Sequence, residues 1–336
     1  MEFLGLPDLL ASGRLQRRVA QVSSDLVRAS EETTTGRYAD IIAASNNNPA
    51  RIAGLERALT LNDSRAGILD IAGSRAATAQ EALGVVQGAI ETFGPELLAS
   101  VSINDISSAD RKALPAREAF ETAVSALNTR FSGRSLFAGA ASDQAALAPG
   151  DQILAEIQTL TAAAPDAGTV IAVVDAYFAP GGGFEATGYV GSVNDAPAVE
   201  LAEGARLDYA VRADDERIRG ALRSLALAVV GAEGSFTNAD DGSRLLVLRE
   251  AAESAIAATP EVIDVRAALG VAEERIEVAS VRTEGERTFL NQALNAIVQR
   301  DQFEAATELT SLEQQLQTIF AITARLSQLN LNNFLR

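Results

Sequence analysis

No cysteine and no histidine occurs anywhere in the 336 residues. Disulfides and thiolate metal sites are thereby excluded. The commonest base for a Ser or Cys nucleophile is also missing, so no catalytic site, metal or cofactor is expected. Tryptophan is absent and aromatics make up only 5% of the chain. Lys112 is its one lysine. I/L/V/A-rich stretches are all interrupted before the roughly 18 residues that mark a membrane span, so no membrane insertion is expected. The start, Met1-Glu2-Phe3-Leu4-Gly5-Leu6-Pro7, is acidic and briefly apolar. It lacks the basic opening, long apolar segment and small-residue cleavage site of a secretory signal.

What is present narrows the fold. A hydrophobic content of 47% can fill a substantial interior, which argues against global disorder. The length suggests about two domains. Recurring Ala and Leu with few aromatics favour helices packed on helices, since small and aliphatic side chains allow close approach. The 28 basic residues stand against 45 acidic ones, a formal net charge of -17. Such a field repels phosphate backbones, so neither nucleic acid nor an anionic membrane surface is expected as a partner.

The first half reads as long helices. Leu15, Val19, Val22, Leu26 and Ala29 alternate by four and three along one stripe. Glu31 to Arg37 interrupts it, with Gly36 as the helix end. A loop through Ser45-Asn46-Asn47-Asn48 leads to a second helix, for which Asn48 is the cap and Pro49 the first residue. From there Ile52, Leu55, Leu59, Asn62, Ala66, Leu69, Gly73, Ala76, Gln80, Leu83, Gln87 and Ile90 hold a heptad register. Phe93-Gly94-Pro95 is expected to close it, giving a helix of roughly 65 Å at 1.5 Å per residue. A third helix is expected from about Ser108 to Phe131, with Pro115 at its start or at a kink.

The character changes between about 140 and 213. Four of the nine prolines and the run Gly181-Gly182-Gly183 fall there. Ile153 to Leu160 reads as helix, and Val170 to Phe178 as either helix or strand. Val199 with Leu201, and Leu207 with Tyr209 and Val211, alternate with period two around a turn at Glu203-Gly204. Helices then return over Asp214 to Val230 and Ser243 to Ala258, and Thr259-Pro260-Glu261 is expected to cap and open a long final region. Near the end Ala305, Leu309, Leu312, Leu316, Ile319, Thr323 and Leu326 again alternate by four and three. Both chain ends thus carry stripes that must pack on each other or on a neighbouring subunit, because an isolated two-stripe helix is marginal in water.

The residues that could carry chemistry have plainer roles. Asp214 with Asp215, and Asp240 with Asp241, suit helix amino termini, where acids favour the dipole. Asn238 to Gly242 resembles a calcium loop, but Thr237 and Leu248 would occupy its first and last ligand positions, and both fail. The glycine run at 181–183 fits no phosphate-binding spacing.

The most informative run is Leu127-Asn128-Thr129-Arg130-Phe131-Ser132-Gly133-Arg134-Ser135-Leu136-Phe137-Ala138-Gly139. It resembles the signature of the flagellin superfamily, at the point where an outgoing helix enters the variable domain. Its Leu-Phe-Ala-Gly ending looks like the hook–filament junction branch of that family. Physically, a helix would end at Ser132-Gly133, Leu136 and Phe137 would plug the top of a rod, and Gly139 would turn the chain away. Thr33 to Arg37 is similar to the family's turn after the first helix. Tyr189-Val190-Gly191 and the strands after it resemble the return from the outer domain, and Asp301 to Leu335 resembles the terminal helix that lines the tube. Asn46-Asn47-Asn48-Pro49 departs from the family's Asp-Asp-Pro, and the amino terminus lacks the flagellin opening rich in Asn and Ile. The final Leu335-Arg336 is flagellin-like.

The resemblance implies a mainly α fold: a long antiparallel, coiled-coil-like rod built from both chain ends, with a small inserted α+β domain. The divisions expected are an assembly helix over 1–35, rod helices over 36–139, a variable domain over 140–213, rod helices over 214–300 and an assembly helix over 301–336. It implies a non-enzymatic, extracellular part of the motility apparatus, exported through the flagellar type III pathway without a cleaved signal. Its partners would be the first hook-associated protein, flagellin, further copies of itself in a ring and an export chaperone. The assembly interface expected is Leu15, Val19, Val22, Leu26, Leu309, Leu312, Leu316, Ile319, Leu326 and Leu329. A filament flagellin and an intracellular signalling coiled coil are the alternatives left open.

Overall fold

In a computed structural model the backbone is described over residues 6–45 and 48–334, with side chains over 13–45 and 48–325. The fold is mainly α, with long helices and a small mixed insertion. The chain divides into two compact units, one of residues 1–64 with 284–336 and one of residues 65–283.

The first unit holds α1 (Leu6–Thr35), α2 (Ile41–Ala44), the start of α3 (Pro49–Glu91), the end of α10 (Asp241–Val298) and α11 (Gln302–Phe334). Gly36 ends α1 in the left-handed region at φ 66. Its amide donates to Glu32 O at 2.8 Å, the closure that a glycine after a helix provides. Asp40, which drew no comment in the sequence, caps α2 by accepting from Ala43 N. Pro49 is the first residue of α3, as its missing donor favours.

The second unit holds the rest. None of the twelve heptad positions expected in α3 is exposed along the whole helix. Two of its polar positions are partnered with α10: Gln80 Nε2 donates to Arg266 O at 2.6 Å, and the Arg266 guanidinium donates to both Gln80 Oε1 and Gln87 Oε1, whereas the buried Asn62 Oδ1 has no partner. Polar side chains in the seam therefore fix which stretch of α10 lies against α3, a specifying role that polar core positions play in coiled coils.

Phe93-Gly94-Pro95 does not close the helical path. α3 stops at Glu91 and α4 (Phe93–Ser102) starts two residues on. Pro95 lies in the first turn of α4, where a missing N–H costs nothing. The expected helix over Ser108 to Phe131 is likewise two, α5 (Ile106–Ala113) and α6 (Ala116–Leu127), divided at Pro115. Past Leu127 the chain forms a hairpin of β1 (Arg130–Phe131) and β2 (Arg134–Ser135). Ser132 and Gly133, at φ 49 and 78, are its two turn residues and not a helix end. Positive φ at both positions suits the twist of a two-residue hairpin.

In the insertion α7 (Gly150–Thr161) and α8 (Ala167–Phe178) are helices. Asp166 Oδ1 accepts from Thr169 N at 2.8 Å and settles the helix-or-strand question at 170–178. A π-helical turn covers Phe184–Gly188. β3 (Val199–Ala202) pairs antiparallel with β4 (Ala205–Leu207), around Gly204. The second strand stops at Leu207 instead of reaching Val211. Val199 pairs with Leu207, so the next partner for Tyr209 would be Pro197, which has no N–H to give.

α9 (Glu216–Glu233) is the centre of the core. Every residue from Ser224 to Gly231 is buried, the pattern of a helix surrounded on all sides. It packs against α5, α6, α7 and α8. Asp215 caps it, and Asp240 Oδ1 accepts from Ser243 N at the start of α10, so both acidic pairs serve helix amino termini.

The largest correction is α10, one helix through Pro260. Thr259 opens nothing; its hydroxyl donates to Ala255 O at 2.9 Å inside the helix. Leu248, Ala251, Ala255, Ala258, Val262, Val265, Leu269, Ala272, Ile276, Ala279 and Thr283 are all buried at alternating spacings of three and four. The seam keeps its phase across the proline, and Pro260 faces solvent. Continuous burial offsets the one hydrogen bond lost.

Gly94 marks where α4 meets this helix. A Cβ there would sit 3.0 Å from Ala255 Cβ, 3.0 Å from Ile256 Cγ1 and 3.1 Å from Ile256 N. Gly94→Ala is expected to destabilise the chain by about 1–3 kcal/mol through overpacking, seen as a lower denaturant midpoint with unchanged slope.

Candidate assembly surface

In the first unit α1 lies along α11. Val22, Ala29 and Leu312 are buried between them, with Leu26, Leu309, Leu316 and Ile319 partly buried around that cluster. Leu15 and Val19 are half-buried. The side chains of Leu326 and Leu329 lie outside the described residues. Ala305 is fully buried, whereas Thr323 is exposed. Part of each stripe is therefore covered within the chain. Other large apolar side chains in this unit face outward, among them Val27 at 66% exposure, Phe289 at 68% and Phe303 at 82%.

The pair is anchored where its two helices meet their connections. Tyr38 N donates to Val298 O and Arg300 N to Gly36 O, both at 3.0 Å, flanking an antiparallel bridge between Arg37 and Gln299. The Arg300 guanidinium lies 5.1 Å over the Tyr38 ring. Its Nη2 donates to Glu308 Oε2 at 2.6 Å, and its Nε is 3.8 Å from Glu32 Oε2. Glu32 is buried at 5% exposure, and its Oε1 accepts from Ala39 N at 3.1 Å. Burial works against the Arg300 charge, but the Glu308 and Glu32 carboxylates and a hydrogen bond with Tyr38 outweigh it and raise its pKa above the ordinary value. Sequence reasoning passed over this cluster. The available signal was a carboxylate, Glu32, three residues past the stripe member Ala29, on the buried side of the helix.

In the second unit the structure draws the 127–139 run inward. Leu127 and Phe137 are fully buried and Leu136 nearly so. Asn128 Oδ1 accepts from Ala146 N at 3.0 Å and Leu147 N at 2.8 Å, and its Nδ2 donates to Leu147 O at 3.0 Å. One amide thus completes the hydrogen bonding of a strand-like segment that also bridges to Tyr189. Phe131 is half-buried beside Gly133 in the hairpin. Arg130 reaches across that hairpin to Gly133 O and Asp143 O. Phe137 O accepts from Ala213 N, and Ala138 O from Ser192 N, so the outgoing and returning segments are stitched together. At Gly139, with φ 60, a Cβ would lie 2.4 Å from Asn194 O and 2.6 Å from Ser192 O. No other residue fits. The run is an interior joint at Leu127 and over 135–139, while its hairpin tip, Arg130, Ser132, Gly133 and Arg134, is exposed.

Nothing in either place points to chemistry. Among the described residues no group of three or more His, Cys, Asp or Glu could hold a metal ion. An open cleft of about 1020 Å³ beside α9 and α10 is lined by Arg212, Arg217 and Arg223. Each of these arginines is already paired, with Asp214, Asp215, and Asp175 with Glu250 respectively.

Two outcomes are expected from this geometry. Asn128→Ala strands three backbone groups, each costing about 1–3 kcal/mol, and is expected to unfold the 140–213 segment at lower denaturant while α10 keeps its helicity by circular dichroism. The tyrosines give the second. Burial is the chief cause that pushes Tyr177 up to about 12 and also raises Tyr189 and Tyr209. The unfolded chain ionises these phenols near pH 10. Their contribution is thus intact below about pH 10 and is lost as pH climbs through the folded values. Absorbance titration should show these three ionising with alkaline unfolding; ionisation near pH 10 with the fold intact would contradict it.

Comparison with known proteins agrees with the geometry. Residues 250–335 match the family described as the bacterial flagellin C-terminal helical region. No curated protein sequence matches the chain. A solved structure from Vibrio parahaemolyticus, described as a flagellar hook-associated protein, is similar in fold with a TM-score of 0.53 at 13% identity, covering 73% of this chain and 95% of that one. The sequence match at 250–335 lies in a flagellin-type helical region and the fold is shared with a flagellar protein, which together support a structural component of the bacterial flagellum; neither touches the 127–139 run by sequence.

Proposed function

We propose that this chain is a non-enzymatic structural protein that stands outside the cell at the junction between hook and filament. The observation that carries the reading is the run Leu136-Phe137-Ala138-Gly139, together with the flagellin-type region over 250–335. The pairing of α1 with α11 supports the role given to the terminal segments 1–35 and 301–336 as assembly helices. On this reading 36–139 and 214–300 supply the helices between them, and 140–213 is the variable part. The partners are the first hook-associated protein, flagellin, copies of the chain itself in a ring, and a chaperone that holds the subunit before type III export.

The physics of assembly follows from the stripes. Each large apolar side chain covered by a neighbour contributes about 1.5–3 kcal/mol, and ordering the segment offsets much of the gain. Outward residues such as Val27 and Phe303 are the ones a neighbour would cover. Filament flagellin is the second reading, favoured by the family matched at 250–335 and by the terminal Leu335-Arg336. It differs in that a flagellin polymerises indefinitely.

Deleting Leu309 to Arg336 is expected to leave 65–283 folded and to abolish attachment of filaments to hooks. A strain carrying that deletion and swimming normally would count against the junction role. Fractionation separates the two readings: the junction protein appears as a minor species at the hook end of sheared flagella, a flagellin as their bulk.

A further inference from the structure

We infer that Arg300 is a latch residue, and that the Glu32–Arg300–Glu308 cluster makes the order of α1 and of α11 a single cooperative event. The proposal depends on the first unit's geometry alone and stands whether the chain is a junction protein or a flagellin.

Three observations carry it. First, the apolar contact between the two helices is thin. Among the described residues only three side chains of its cluster are buried, Val22, Ala29 and Leu312, and one of these is an alanine; Leu26, Leu309, Leu316 and Ile319 around them are only partly covered. Helices of 30 and 33 residues need more than that to order each other. Second, Arg300 touches every element that must be held. It faces Glu32 on α1, Tyr38 in the turn after α1, and Glu308 on α11, while its own amide donates to Gly36 O. Third, the Glu32–Arg300 side of the cluster is enclosed, with Glu308 at its open edge, 39% exposed. The side chains of Glu32 and Arg300 are 6% and 19% exposed, and Arg300 Nε has no hydrogen-bond partner and lies 3.8 Å from Glu32 Oε2. A buried charge pair is costly to break one side at a time. Removing Arg300 leaves a carboxylate in the interior; removing Glu32 leaves the guanidinium held by Glu308 alone, on α11. Either way the terminal pair loses the charged anchor between its two helices.

A guanidinium suits the position better than an ammonium would. Its planar face covers the Tyr38 ring while its edge serves two carboxylates on different helices. The cluster also explains why the bridge between Arg37 and Gln299 lies where it does, since Arg300 follows Gln299 directly.

The test is hydrogen exchange on the full chain carrying Arg300→Ala, Arg300→Lys, Glu32→Gln, or Arg300→Ala with Glu32→Gln. The expected result is a tenfold or greater loss of amide protection over both 13–35 and 302–325 in Arg300→Ala, with 65–283 unchanged. Arg300→Lys should recover part of that loss. The double variant should lose no more than Arg300→Ala alone, because the two residues act as one unit. Loss confined to the turn around Arg300, loss in α11 without α1, strict additivity of the two single variants, or loss spreading through 65–283 would each overturn the latch.

Discussion

The interior of residues 65–283 depends on one constraint: a seam of alternating three and four that α10 carries from Leu248 to Thr283 without a phase slip. Such a seam points all its members at one partner only while the helix stays continuous. That is why Pro260 is accommodated and does not end the helix. The proline occupies the solvent side, so the buried seam is not interrupted. On the facing helix, Gln80 and Gln87 meet Arg266 and hold the register that apolar contacts alone would let slide.

The same logic orders the rest of that unit. α9, apolar on all sides, can exist only if helices cover it from several directions, and α5, α6, α7 and α8 do so. The 127–139 run then serves as the joint by which the chain leaves and re-enters this core. Its conspicuous residues are the ones a joint needs: an amide that pairs with a neighbouring backbone at Asn128, a buried ring at Phe137, and a position at Gly139 where two carbonyls exclude any side chain. The run is thus shaped by interior geometry.

The terminal pair works by a different balance. Its apolar contact is shallow, and a charged cluster under the turn of Gly36 supplies the fixed point. Shallow packing with a single polar anchor gives a pair whose order is easily shifted by a neighbour that covers more of its surface. Deep packing of the kind seen at α9 does not allow that.

Much of this was legible in the order of residues alone. The stripes of α1 and α11, the twelve-position register of α3, the start at Pro49, the stop at Gly36 and the turn at Gly204 follow from periodicity and from glycine and proline chemistry, which act within a few residues. What the sequence could not fix is where a local signal loses to a distant one. Pro260 reads as a helix start until the far seam is seen to continue through it. Phe131 reads as helix until Asn128 is seen to spend its amide on Leu147. Tyr209 reads as strand until Pro197 is found opposite. The Arg300 cluster joins residues more than 260 positions apart, and only the tertiary fold brings them into contact. Short-range conformational preference was set by the sequence; burial and long-range hydrogen bonding, which are larger, were set by what each segment meets.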